Sequence, residues 1–179
     1  MTGNFIRNIF TGKKILLGIY LLIHTGVQAQ GFPENPPIPV KVEVRNSRFL
    51  NFGSFTGGVT GGTVTVDYNG TRTSTGDVFL LNLGNPTSSA LFDLTANPGT
   101  LVNITVPSDF LLSGDGGTGG DVRLEITMNH ISTGQTFITT VTPPLTNEIE
   151  VGGTLHIGSE AQNPAGFYTG TFSLIFNYE

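Results

Sequence analysis

From Ile38 to Val44 every even position is apolar, and every odd one is proline or polar: Ile38-Pro39-Val40-Lys41-Val42-Glu43-Val44-Arg45. A period of two places Ile38, Val40, Val42 and Val44 on one face of a strand. Ahead of it, Pro33, Pro36, Pro37 and Pro39 make residues 30–39 an extended leader, because proline fixes φ and biases the preceding residue toward β or polyproline geometry. Further strands are predicted over 49–55, 63–68, 77–83, 90–95, 101–106, 122–129, 136–141, 148–157 and 167–178. Turn chemistry separates them at Gly57-Gly58, Gly61-Gly62, Asn69-Gly70, Asn85-Pro86, Asn97-Pro98-Gly99, Pro143-Pro144 and Asn163-Pro164. Asn69-Gly70, flanked by Thr/Val/Tyr runs, predicts a two-residue hairpin loop of type I′. After position 30 no window carries a sustained 3.6-residue apolar period. The pattern predicts an all-β, antiparallel two-sheet sandwich of immunoglobulin-like type, with a small barrel or jelly roll as the structural alternative.

The first 29 residues have a different pattern. A basic stretch ends in Lys13-Lys14, residues 15–23 form an apolar run, and Val27 and Ala29 are the small residues of a cleavage site. Nine apolar residues cover about half of a ~30 Å hydrocarbon layer, so the segment reads as a cleaved export signal and not as a membrane span. Cleavage after Ala29 gives three regions: signal peptide 1–29, proline-rich extension 30–46 and β-sandwich 47–179. Within residues 30–179, five Lys/Arg face thirteen Asp/Glu, a formal net charge of −8. So acidic a domain does not suit nucleic acid or anionic lipid. The 179-residue chain has no cysteine, which removes disulfides, thiolate catalysis, zinc–thiolate sites and an N-terminal lipid anchor.

Little remains to build chemistry from. His130 and His156 lie on different predicted strands without metal-ligand spacing, and no Gly-x-Ser-x-Gly elbow is present. The loop from Ser113 to Asp121 offers oxygen ligands on glycines, yet it lacks the acidic ladder and closing glutamate of an EF-hand. Glu148 and Glu150 alternate with Ile149 and Val151 as on a solvated sheet face. Asn69-Gly70-Thr71 and Asn103-Ile104-Thr105 fit the glycosylation triplet, which counts only in a eukaryotic secretory pathway. These residues predict a non-enzymatic protein without cofactor or metal.

The last predicted strand carries an apolar row, Phe172, Leu174, Phe176 and Tyr178. Together with Asn51-Phe52-Gly53, Gly62-Thr63-Val64-Thr65-Val66, Val151-Gly152-Gly153-Thr154-Leu155 and Gly166-Phe167-Tyr168-Thr169-Gly170-Thr171-Phe172, it resembles the ordered motifs of the exported bacterial family catalogued as domain of unknown function 4402. The resemblance covers roughly residues 45–179. That family is similar at its C-terminal strand to spore-coat-U-like and chaperone–usher pilin domains, which place a tyrosine next to last and a glycine fourteenth from the end, here Tyr178 and Gly166. The resemblance implies a pilin-like fold in a protein of the periplasm or cell surface of a Gram-negative-type bacterium. It also implies a missing strand supplied by another subunit and a periplasmic chaperone as partner; the cysteine pair of many pilins is missing. On this reading copies of the chain, or related subunits, join into a surface fibre or coat-like assembly. Ile38, Val40, Val42 and Val44 are then the donated row, and Gly166, Phe172, Leu174, Phe176 and Tyr178 line the receiving edge. The same alternation fits a first strand paired within its own sandwich. The other functional reading is a self-complete monomeric binding module that contacts a glycan or a surface protein through its Gly/Asp loops.

Overall fold

The computed structural model describes residues 38–107, 110–115, 120–128 and 136–178. The predicted signal peptide 1–29, leader residues 30–37 and His130 lie outside the described residues. Eleven strands and no helix occur among them: β1 Lys41–Val44, β2 Ser54–Val66, β3 Arg72–Leu81, β4 Ala90–Thr95, β5 Leu101–Thr105, β6 Phe110–Gly114, β7 Val122–Met128, β8 Thr136–Ile138, β9 Asn147–Ile157, β10 Tyr168–Thr169 and β11 Ile175–Tyr178. No helix among the described residues is long and apolar enough to cross a membrane.

All pairings are antiparallel and form two sheets. The smaller runs β11-β5-β8, and the larger is built on β9. Along one edge of β9, β7 pairs with residues 151–156. Along the other, β4 pairs with residues 147–151 and β2 with residues 153–157. Two strands thus succeed each other on one edge of a third, and the sheet curls into a half-barrel.

The handover falls on Gly152-Gly153, where a side chain has no room. A Cβ on Gly152 would press on the Val66 carbonyl oxygen and sit 2.9 Å from the Tyr68 nitrogen. One on Gly153 would sit 2.9 Å from Leu124 Cδ1 and 3.0 Å from the Glu125 carbonyl oxygen. The core fills the concave side with alternating residues, including Val64 and Val66 of β2, Leu94 of β4, Ile104 of β5, Leu124 of β7 and Ile149 and Val151 of β9, all 4% exposed or less.

Besides shifted bounds at β3, which begins at Arg72, and β8, which ends at Ile138, four segments differ in kind from the sequence-based expectation. The runs 49–55 and 63–68 are not two strands: β2 passes through the glycines in one piece, and residues 58–61 bulge opposite the single residue Asp77. The Asp77 carboxylate fills the bulge, lies against Gly58 and accepts a hydrogen bond from the Thr60 nitrogen at 3.3 Å. Strand β6 was not anticipated, because Phe110-Leu111-Leu112 shows no polar alternation. Its burial nevertheless alternates, with Leu111 55% exposed between two half-buried neighbours. The β2–β3 turn lies where Asn69-Gly70 placed it but is of a different type. Only Gly70 has a positive φ, +80°, and the Gly70 nitrogen donates to the Asp67 carbonyl at 2.9 Å, which describes a three-residue loop closed by a left-handed glycine. The stretch 167–178 is not one strand but two, β10 on β6 and β11 on β5, so it passes from the larger sheet to the smaller. Gly170 stands where the chain leaves β6; a Cβ there would lie 2.6 Å from the Leu111 carbonyl oxygen.

Candidate functional site

β1 pairs with β4 of its own chain, Val42 opposite Leu94 and Val44 opposite Phe92. Its even row faces the core side as the alternation requires, but unevenly. Val40 and Val42 are half-buried against the core, whereas Ile38 is 41% and Val44 56% exposed. Half-burial of two valines is worth roughly 2–3 kcal/mol in all, so hydrophobic contact holds this strand weakly. The other edge of β1 has no strand partner among the described residues.

What holds its root is charge. Arg45 follows β1 directly, and its backbone nitrogen donates to the Leu91 carbonyl at 3.0 Å. Its guanidinium grips Asp93 with two bonds, Nε to Oδ2 at 2.9 Å and Nη2 to Oδ1, and reaches Glu148 Oε1 at 2.8 Å. After the turn at 46–47, Arg48 Nη2 donates to Ser89 Oγ at 2.8 Å and pairs with Glu150 Oε1. The bidentate bond from Arg45 holds the Asp93 carboxyl below the ordinary carboxylate range, and Thr146 Oγ1, donating to Asp93 Oδ1 at 3.0 Å, adds to this. Arg45 is in turn held more firmly protonated. The register explains the need for a cation here: Glu43, Asp93 and Glu148 stand side by side across β1, β4 and β9. Like charges directly opposite destabilise a sheet; Arg45 bridges Asp93 and Glu148, and Lys41 pairs with Glu43 at 2.7 Å. Sequence reading missed both arginines and took Glu148 and Glu150 as merely solvated.

At the other end of the chain, Phe172, Leu174 and Phe176 alternate inward as predicted. The Phe172 ring lies 6.1 Å from both Phe92 and Phe110, edge-on to each, and Phe176 lies 6.3 Å from Phe92. Tyr178 is 59% exposed at the end of β11. Gly166 is exposed in the loop before β10, next to Asp115, whose Oδ1 accepts from the Phe167 nitrogen at 3.0 Å. The structure therefore brings Phe172 and Phe176 together with the strand that β1 pairs with, and leaves Gly166 apart. Like β1, β11 pairs along one edge only among the described residues, with β5.

A shallow polar depression of about 440 Å³ opens beside the end of β9, lined by Asp121, Arg123, His156, Gln162 and Asn163 among others. Its wall is tied by hydrogen bonds: Asn163 Oδ1 accepts from the Gly158 nitrogen at 2.6 Å, and its Nδ2 donates to the Gly120 carbonyl at 2.8 Å. His156 Nε2 contacts Glu125 Oε2 at 3.1 Å. Residues 116–119 of the glycine loop lie outside the described residues, and Asp121 Oδ1 accepts from Ser113 Oγ at 2.8 Å. Among the described residues no three His, Cys, Asp or Glu side chains gather as a metal site.

The family described as "Domain of unknown function (DUF4402)" matches residues 42–178. No curated protein and no solved structure matches this chain.

Proposed function

This chain belongs to the DUF4402 family, and on that premise we propose that it is a non-enzymatic, exported structural subunit of a surface fibre or coat-like assembly whose copies join by β-strand donation. On this reading residues 1–29 are removed on export, the two sheets form an immunoglobulin-like, pilin-like sandwich, and a periplasmic chaperone attends the unassembled subunit. The supporting observation is the condition of β1: a four-residue edge strand, weakly buried, with Val44 and Ile38 exposed in the row that would fill a groove. Strand addition draws affinity from main-chain bonds and specificity from such a row.

The test compares residues 30–179 with a truncation beginning at Ser47, by size exclusion and thermal melting, with and without peptide 30–46. Concentration-dependent ladders, together with a truncation that is unstable alone and rescued by the peptide, are expected. A sharp monomer whose truncation melts cooperatively and ignores the peptide would overturn the reading. The second reading, a monomeric binding module, draws on the shallow depression at Asp121, Arg123, His156, Gln162 and Asn163, whose donors and acceptors suit a hydroxylated ligand such as a glycan. Chemical-shift changes confined to that wall on titration with oligosaccharides would favour it.

A further inference from the structure

Charge is unevenly spread between the first strand and the body it rests on. Three of the five cations after residue 29, Lys41, Arg45 and Arg48, lie within eight residues, whereas residues 49–179 hold two arginines against eleven acids. On the outer face of β4 and β9 the acids form a strip, Asp93, Glu148 and Glu150, and Arg45 and Arg48 lie on it. Hydrophobic contact at β1 is too thin to choose between registers. A two-residue slip would keep the apolar row inward, but Arg45 would then lose its forked fit to Asp93, and the carboxylates of Asp93 and Glu148 would lose their shared cation.

We propose that the Asp93–Glu148–Glu150 strip is a charge-coded docking surface for the Lys41–Arg48 segment of a second copy of this chain, with Arg45 setting the register in which the strand adds to β4. The inference rests on the strand-donation reading and supplies its specificity. The strip that selects the chain's own strand presents the same acids at the same spacing to the strand of another copy. A strip of this kind repels acidic strands and leaves its carboxylates without a partner beneath neutral ones, so the code favours strands that carry these cations.

The absence of cysteine from the chain makes a direct test possible. Lys41 and Thr95 are register partners, so full-length protein carrying Lys41→Cys is mixed with full-length protein carrying Thr95→Cys, and the rate of disulfide formation between copies is measured. A chain with both substitutions reports pairing within one copy. The expected result is an inter-copy disulfide whose rate falls about tenfold when the Lys41→Cys copy also carries Arg45→Glu. The rate should recover when the Thr95→Cys copy carries Asp93→Arg. With no charge substitution, raising salt from about 0.1 M to 1 M shortens the screening length from about 10 Å to 3 Å and should slow the same link; this arm holds even if Arg45→Glu fails to fold. An inter-copy disulfide indifferent to Arg45→Glu and to salt would overturn the charge code while leaving strand donation standing. A disulfide found only within single chains would overturn both, and one found in neither format would overturn the pairing register itself.

Discussion

Arg72 shows how a local motif takes its reason from a distant residue. Its guanidinium donates to three backbone carbonyls, Phe52 at 3.0 Å, Ser54 at 3.1 Å and Leu81 at 3.1 Å, and so ties the entry of β2 to the exit of β3. Gly53, at φ +65°, passes close enough that a Cβ would lie 2.5 Å from Arg72 Nη1, and Asn51 Oδ1 closes the bend on the Gly53 nitrogen at 2.9 Å. Asn51-Phe52-Gly53 was legible as a motif, but its purpose was not, because the cation it makes room for comes 20 residues later. Arg72→Met should cost about 2–3 kcal/mol in urea unfolding, since three carbonyls lose a charged donor at once. Asp93 makes a pH prediction at the same scale. Its carboxyl titrates below the ordinary range in the folded state, so the stability it contributes is complete above about pH 4–5 and is lost as pH falls through the lowered value. Asp93→Asn should flatten the wild-type loss of melting temperature between about pH 5 and 2. An unchanged slope would mean that Arg45 does not stabilise the ionised form.

Among the elements, agreement is best where one face is buried and one exposed. β4 occupies 90–95 as predicted, and β5, β7 and β9 lie within a few residues of their expected bounds. Periodicity fails where partners and not patterns decide. Glycines read as breaks in β2 because its bulge is stabilised from the facing strand by Asp77, and β6 is hidden because Leu111 faces solvent despite being apolar. The branched sheet is equally invisible in sequence: Val151-Gly152-Gly153-Thr154-Leu155 announces tight packing without saying that two strands meet there. Gly152→Ala should therefore destabilise by about 3 kcal/mol, well above the cost of Gly84→Asn at an open glycine, because the added methyl meets backbone of β2 on a strand fixed from both sides. Thermal melts of the two variants side by side give the comparison. For the candidate site, the alternating rows at both ends were legible, whereas the arginine latch was not. Opposite charges 48 to 102 residues apart become partners only through register.

At the scale of the whole molecule, the first and last described strands meet at one ring. Phe92 of β4 is the cross-strand partner of Val44 in β1, and its ring also meets Phe172 and Phe176 of the segment that crosses between the sheets. Two edge strands that share no hydrogen bond are thereby coupled through one buried side chain, so loss of either should loosen the other. Phe92→Ala removes the ring from both at once and should cost about 3–4 kcal/mol. The more telling measurement is amide exchange: protection should fall at β1 and at β11 together, while β7, braced by β9 on one edge and β6 on the other, keeps its protection up to the limit of global unfolding. Loss at β1 alone would mean that the two ends act independently. Coupled loss has a consequence for assembly. On the proposed strand-donation reading, a strand from another copy would seat against Phe92 in place of the chain's own β1 and would order β11 as well, so that a subunit with its first strand filled would present a firmer last strand to whatever pairs with it next.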